Sequence, residues 1–194
     1  MSRYAVLEGA TRPFGVEIAN ALMAQHGLPL AEAGDEPPCA LVINRSAAYA
    51  PTAFDAVTDE AFGAALEDGL MAVFDLIQVW VPRLADGAAI VVLTSRAYLG
   101  AWGAAPEASA SAALAGFCRT LALEFAPRRI RVNLAAADFV EAYAADPSGR
   151  MRVAESVAWL AGDQSGALSG QAVLLDEGRG LQMREARFRD LTVP

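Results

Sequence analysis

Few side chains in this chain could do chemistry, and none stands beside the partner that its chemistry requires. Ser95 closes an apolar run, Tyr98 follows it, Glu107 and Ser111 share one helical stretch, and Asp138 sits next to Phe139. A phenol with a pKa of ~10 serves as an acid near neutrality only where a cation lowers it, and no Lys lies near Tyr98. Tyr98 therefore reads as a loop aromatic covering the sheet edge, and Asp138 as a loop carboxylate. Glu107 is a candidate general base, but a carboxylate at a helix N-terminus is favoured by the dipole alone. Ser95, at a strand end, suits a backbone cap better than an oxyanion donor. His26, the single histidine, falls in the last turn of a helix, where it complements the dipole.

The bulk properties exclude several classes of function. A net charge of −8 and a pI near 4.6 disfavour nucleic acid or an anionic membrane as partner. The longest apolar stretch, Leu70 to Val81, is interrupted by Asp75 and Gln78 and is too short to span a bilayer. No basic segment followed by an apolar run marks a secretory leader, so the cytoplasm is the expected location. Cys39 and Cys118 lie in apolar segments without metal-ligand spacing, which suggests buried free thiols and no metal.

The elements that must position these side chains alternate in type. Residues 4–8 read as a strand, Gly9–Gly15 as a turn, and Phe14–Gln25 as a helix stopped by Gly27. Residues 28–38 form a Pro- and acid-rich connection with at most a fragment of strand. A strand at 39–43 follows, then a long helix over 58–84, a strand at 88–95 and a helix at 107–125. A strand at 130–135, a short helix at 153–162 and a strand at 171–176 complete the series. Such alternation predicts a parallel sheet covered on both faces.

In this order the segments resemble the short-chain dehydrogenase/reductase family. AVLEGATRPFG at 5–15 stands in place of the family's Thr-Gly-x-x-x-Gly-x-Gly turn, and Asn44-Arg45-Ser46-Ala47 in place of Asn-Asn-Ala-Gly. IVVLTS at 90–95 matches the strand that ends in the catalytic Ser. LALEFAPRRIRVN at 121–133 and SGQAVLLDEG at 169–178 are also family-like. The resemblance implies a three-layer, doubly wound α/β fold of Rossmann type. It places one domain over 1–178 and a locally basic tail at 179–194 that packs on a neighbouring subunit.

The departures from the family are as informative as the matches. Gly9 and Gly15 remain in the turn, but Pro13, without an amide proton, replaces the middle glycine, and Glu8 replaces the Thr. Two strand–helix units that would wall the adenosine pocket need at least ~40 residues, and only about a dozen lie between the first helix and Cys39. The family's catalytic Asn falls on Gly69, its Tyr on Glu107 and its Lys on Ser111. Only Ser95 matches, with a spacing to Glu107 one residue short. Ala137-Asp138 replaces a Pro-Gly. No catalytic residue and no cofactor site are expected in this chain.

The two long helices lack a broad polar face, which predicts a covering partner. Phe74, Ile77, Trp80 and Val81 on one, and Leu114, Phe117, Leu121 and Phe125 on the other, are the expected interface residues. The resemblance implies a second contact surface on the closing strand and the helix before it, marked by Trp159 and Leu174. The expectation is a non-catalytic subunit of a heterodimer or heterotetramer whose intact homologous partner carries NAD or NADP. The alternative is a cofactor-independent enzyme, or a small-ligand-binding regulatory protein, that reuses the cleft.

Overall fold

Runs such as ALVIN and AIVVLTS are apolar at nearly every position, so each of their faces must be covered by other elements. A computed structural model describes residues 3–31 and 36–178 and shows how this is achieved. Five strands, β1 (Ala5–Glu8), β2 (Ala40–Asn44), β3 (Ala89–Ser95), β4 (Arg131–Ala137) and β5 (Ala172–Leu175), form one parallel sheet in the order β1-β2-β3-β4-β5. On one face, α1 (Gly15–His26) and α5 (Pro147–Ala161) pack against Val42, Val91, Leu93 and Ala135. On the other, a broken helix and α4 (Ala105–Glu124) pack against Leu41, Ile43, Ile90 and Val92. The result is the three-layer α/β architecture expected from the alternating pattern. The tail beyond Gly178, with the subunit contact expected of it, lies outside the described residues.

The strands advance in one direction while helices lie on both faces, so the crossovers cannot all share one hand. Where α1 returns to the sheet, residues 29–31 run along the outer side of β1. The Ala5 amide donates to the Pro29 carbonyl at 3.0 Å, and the Ala31 amide to the Ala5 carbonyl at 3.1 Å. Leu30 forms a single parallel bridge with Ala5 there. That bridge is the fragment of strand expected in the connection. Among the described residues, no further strand lies beyond β1.

Several boundaries differ from the sequence reading for local reasons. The helix expected over 58–84 is α2 (Asp59–Leu66), a π-helical turn over Glu67–Met71, and α3 (Ala72–Trp80). Thr58 caps its start by accepting from the Ala61 amide at 3.2 Å, and Pro82 ends it in a 3-10 turn. α5 begins six residues earlier than expected, at Pro147 rather than 153. Asp146 caps it by accepting from the Gly149 amide at 2.8 Å, and the apolar spacing does not record this polar first turn. α4 likewise starts at Ala105, with Pro106 in the first turn.

The turn between β1 and α1 holds an unusual residue. Phe14 adopts φ 69°, a left-handed conformation disfavoured for a bulky side chain, yet it is fully buried. Its ring meets Tyr143 edge-on at 5.3 Å. The free energy gained by burying the ring, about 2–3 kcal/mol, exceeds the backbone cost of about 1 kcal/mol. Of the two thiols, Cys118 is buried and its pKa is pushed up to about 12 by burial, whereas Cys39 is only half-buried.

Two outcomes follow for the isolated chain. Phe14→Ala should cost about 3–4 kcal/mol in urea denaturation, since alanine keeps the strained φ and loses the ring. Cys118 should stay unreactive toward a thiol-titrating disulfide at pH 8 until the protein unfolds, because its thiolate is disfavoured.

Candidate functional site

At the carboxyl ends of β1 and β2, the turn from Gly9 to Gly15 is stapled to the sheet by one buried side chain. The Asn44 amide donates to the Pro13 carbonyl at 2.8 Å and to the Gly9 carbonyl at 3.2 Å, and its oxygen accepts from the Ser46 amide at 3.1 Å. The Ser46 hydroxyl adds a second bond to the Pro13 carbonyl at 3.0 Å. Gly9, at φ 81°, lies so close to this strand end that a Cβ would sit 2.5 Å from the Asn44 carbonyl oxygen. The glycine therefore serves close chain packing at this point.

Beside the turn opens a cleft of about 230 Å³ lined by Gly69, Thr94, Glu107 and Ser111. Three of the four positions expected to face one another thus converge, from the π-helical turn and from α4. Ser95 does not join them, which corrects the sequence reading. The Thr94 and Ser111 hydroxyls lie 3.1 Å apart, and it is Thr94 whose side chain reaches α4. Successive side chains of a strand point to opposite faces, so a slip of one position moves the hydroxyl across the sheet. Ser95 is buried and accepts from the Ala97 amide at 3.0 Å, the backbone cap favoured above. The one-residue-short spacing to Glu107 was the signal of that slip.

Gly69 sits within the π-helical turn, where a Cβ would lie 2.7 Å from the Ala110 Cβ on α4. No side chain larger than hydrogen fits there without moving the helices apart. Glu107 lies in the first turn of α4, as expected of a carboxylate favoured by the dipole.

Three residues that the sequence reading passed over fill the mouth of the cleft. Asp68 accepts from Arg12 at 2.6 Å and from Arg45 at 2.5 Å on the same carboxylate oxygen. Arg45 also donates to the Asp68 backbone carbonyl, and so caps the π-helical turn at the point where regular helix bonding is interrupted. Burial, and then the nearby charge of Arg12, hold the Arg45 guanidinium below its usual pKa; Asp68 opposes both. Arg45 was visible as a departure within Asn-Arg-Ser-Ala, but Asp68 is distant in sequence and carried no signal.

The loop following β2 then crosses the end of β3. The Val140 amide donates to the Ala47 carbonyl at 3.2 Å, and the Tyr49 amide to the Glu141 carboxylate at 2.8 Å. Because β3 separates β2 from β4, these bonds bridge directly over the end of β3. Asp138 is more than a loop carboxylate: it is nearly buried and accepts from Arg96 at 3.2 Å, with Asp176 3.7 Å from the same guanidinium. Burial, and then the charge of Asp176, raise the Tyr98 phenol above its usual pKa, the opposite of what an acid catalyst needs.

The remaining candidates are structural. The Glu8 carboxylate turns to accept from the Trp80 indole at 2.8 Å. His26 joins α1 to α5 through the Ala158 carbonyl at 2.9 Å. The expected interface set divides, which narrows that expectation: Ile77, Trp80, Leu114 and Leu121 belong to the chain's own core. Phe74, Val81, Phe117 and Phe125 are half-buried, and Trp159 and Leu174 are exposed. Among the described residues, no group of His, Cys, Asp and Glu could hold a metal ion, and no helix is long and apolar enough to cross a membrane.

Residues 40–152, more than half of the chain, match the family described as enoyl-(acyl carrier protein) reductase, and the chain belongs to this short-chain dehydrogenase/reductase family. It is similar to the (2S)-[(R)-hydroxy(phenyl)methyl]succinyl-CoA dehydrogenase subunit BbsD of Thauera aromatica, 32% identical over 110 residues, 47% of this chain and 44% of that protein. It is also similar to the 3-oxoacyl-[acyl-carrier-protein] reductase FabG of Escherichia coli, 29% identical over 141 residues, 62% of this chain and 58% of that one. The chain thus spans about half the length of these curated relatives.

Solved structures agree on the fold. The TT0495 protein from Thermus thermophilus superimposes with a TM-score of 0.74 at 24% identity, covering 91% of this chain and 98% of that one. A short-chain dehydrogenase/reductase mutant from Serratia marcescens gives 0.74 at 19%, covering 92% and 97%.

Asn44→Ala should destabilise the chain by about 1–3 kcal/mol, because it removes both amide bonds that staple the turn to the sheet and takes the acceptor from the buried Ser46 amide. Urea denaturation monitored by circular dichroism reads the loss.

Proposed function

We propose that this chain is a non-catalytic subunit of a hetero-oligomeric short-chain dehydrogenase acting on alcohol or hydroxyacyl compounds, paired with an intact homologue that carries NAD or NADP. One observation carries the reading. The cleft where the family's reacting groups would meet is lined by Gly69, Thr94, Glu107 and Ser111, with Arg12, Asp68 and Arg45 across its mouth.

The physical reasons are independent of one another. Hydride transfer of this family's kind needs a phenol and an ammonium acting together, and the chain's fifteen basic residues are all arginine, so no lysine elsewhere can substitute. Proline in the turn removes an amide that a pyrophosphate would accept from. A dinucleotide binds where strand order reverses, and here the described strands advance without reversal. The loop over the end of β3 further reduces room along the carboxyl edge.

The outer helix faces support a partner. Val79 is 51% exposed and Leu123 75%, and the half-buried rings of Phe74 and Phe117 lie 6.3 Å apart. Apolar area left in water at this density is area that association would bury, at roughly 25 cal/mol per Å². One relative is itself named a subunit of a CoA-thioester dehydrogenase, which suits a hydroxyacyl substrate for the complex.

Calorimetry should detect no binding when NADH or NADPH is titrated into the isolated chain, and micromolar binding would defeat the proposal. Coexpressed with an intact Tyr-x-x-x-Lys homologue from the same genome, the chain should elute with it at a fixed ratio. Phe117→Glu combined with Leu123→Glu should abolish that association and leave the circular dichroism spectrum unchanged. Restoring the reacting groups by Glu107→Tyr and Ser111→Lys should still confer no nucleotide binding, since the missing walls are a matter of architecture.

A further inference from the structure

Above the ends of β3 and β4 lies a second cavity, of about 300 Å³, separate from the cleft of Gly69 and Glu107. Among the described residues, three aromatic ones line it: Tyr49, Trp102 and Phe139. The Tyr49 and Phe139 rings are tilted against each other with centroids 4.8 Å apart. The Tyr49 hydroxyl donates to the Trp102 carbonyl at 2.7 Å, so the segment that presents the indole is fastened to the opposite wall. The Trp102 side chain is nevertheless 67% exposed. A large aromatic held at a cavity rim by its backbone is poised to cover a ligand.

The charges in the wall have one sign in excess. Among the described residues, Glu141 and Asp138 line the cavity with Arg96 as the single cation, and the Arg96 guanidinium already has Asp138 at 3.2 Å and Asp176 at 3.7 Å. The Glu141 carboxylate is fixed by the Tyr49 amide at 2.8 Å, on the side where the aromatic rings meet. An anionic ligand would face these carboxylates at short range and be repelled. A neutral apolar ligand would gain from the rings but nothing from the charge. A bare primary ammonium would lose strong hydration on entry. An alkylated ammonium is weakly hydrated and attracted to ring faces, so it gains from both features.

We propose that this cavity binds a small alkylated ammonium ion of about the size of choline, with its cationic head against Tyr49 and Trp102 and Glu141 as counter-ion. The site needs no nucleotide and no partner subunit, so it stands or falls separately from the dehydrogenase-subunit reading.

The test uses the full chain with choline chloride as probe and 3,3-dimethylbutan-1-ol as its uncharged isostere. Binding is followed by calorimetry and by tryptophan fluorescence. Choline should bind saturably in the millimolar range or tighter, and the isostere about tenfold more weakly or worse, the factor that a cation–ring contact supplies. Trp102→Ala and Glu141→Gln should each weaken choline binding about tenfold with the far-ultraviolet spectrum unchanged. Absence of saturable choline binding, equal binding of the isostere, or unchanged affinity in both variants would overturn the proposal. Both substitutions are at solvent-accessible side chains, and the Gln variant keeps the shape of the wall if the Ala variant fails to fold.

Discussion

β1 pairs with β2 through four registered residues on one side, and on the other the described chain offers it only the Leu30 bridge. A dinucleotide crevice opens where neighbouring strands are entered from opposite directions, because the loops then diverge above the sheet. Here the loops that follow β1 and β2 run together instead, joined by Asn44 and Ser46. The compact connection after α1 therefore governs the whole carboxyl edge. It brings the Gly9–Gly15 turn down onto the end of β2, places Arg12 beside Arg45, and leaves the loop after β2 near enough to bond the loop after β4.

Within that frame, an ion-pair cluster ties the elements together at the cleft. Two guanidinium groups on one carboxylate oxygen would be unfavourable in water-free surroundings, yet Asp68 is half-exposed, and Arg45 gains a backbone carbonyl from the π-helical turn. The turn frees a carbonyl, the arginine satisfies it, and the pair holds α2 and α3 against the first turn of the fold. Close helix contact at Gly69 and Ala110 depends on the same turn. Substitution at any of these positions would act on packing before it acted on any chemistry.

The helices that cover the sheet divide their apolar residues between an inner and an outer face. Ile77, Trp80, Leu114 and Leu121 point to the sheet, whereas Val79 and Leu123 face outward on the same elements. An all-apolar circumference is divided by the sheet into a core stripe and an outer stripe, and only the outer one is available to another chain.

Alternating apolar runs, caps such as Thr58 and the stop at Gly27 determined the order and type of the elements, because each depends on residues close in sequence. The want of a lysine near Tyr98 and the shortness of the connection before Cys39 were equally legible, since neither requires a partner to be known. What the chain could not disclose alone was which face of β3 presents a hydroxyl to α4: the choice between Thr94 and Ser95 turns on a strand's two-residue period measured against a distant helix. The clasp of Asp68 on Arg12 and Arg45, the bridge from Tyr49 to Glu141, and the aromatic cavity around Trp102 were likewise decided by tertiary structure. Each joins residues that are separated along the chain and share only the carboxyl edge of the sheet, so their meeting is a consequence of topology rather than of local sequence.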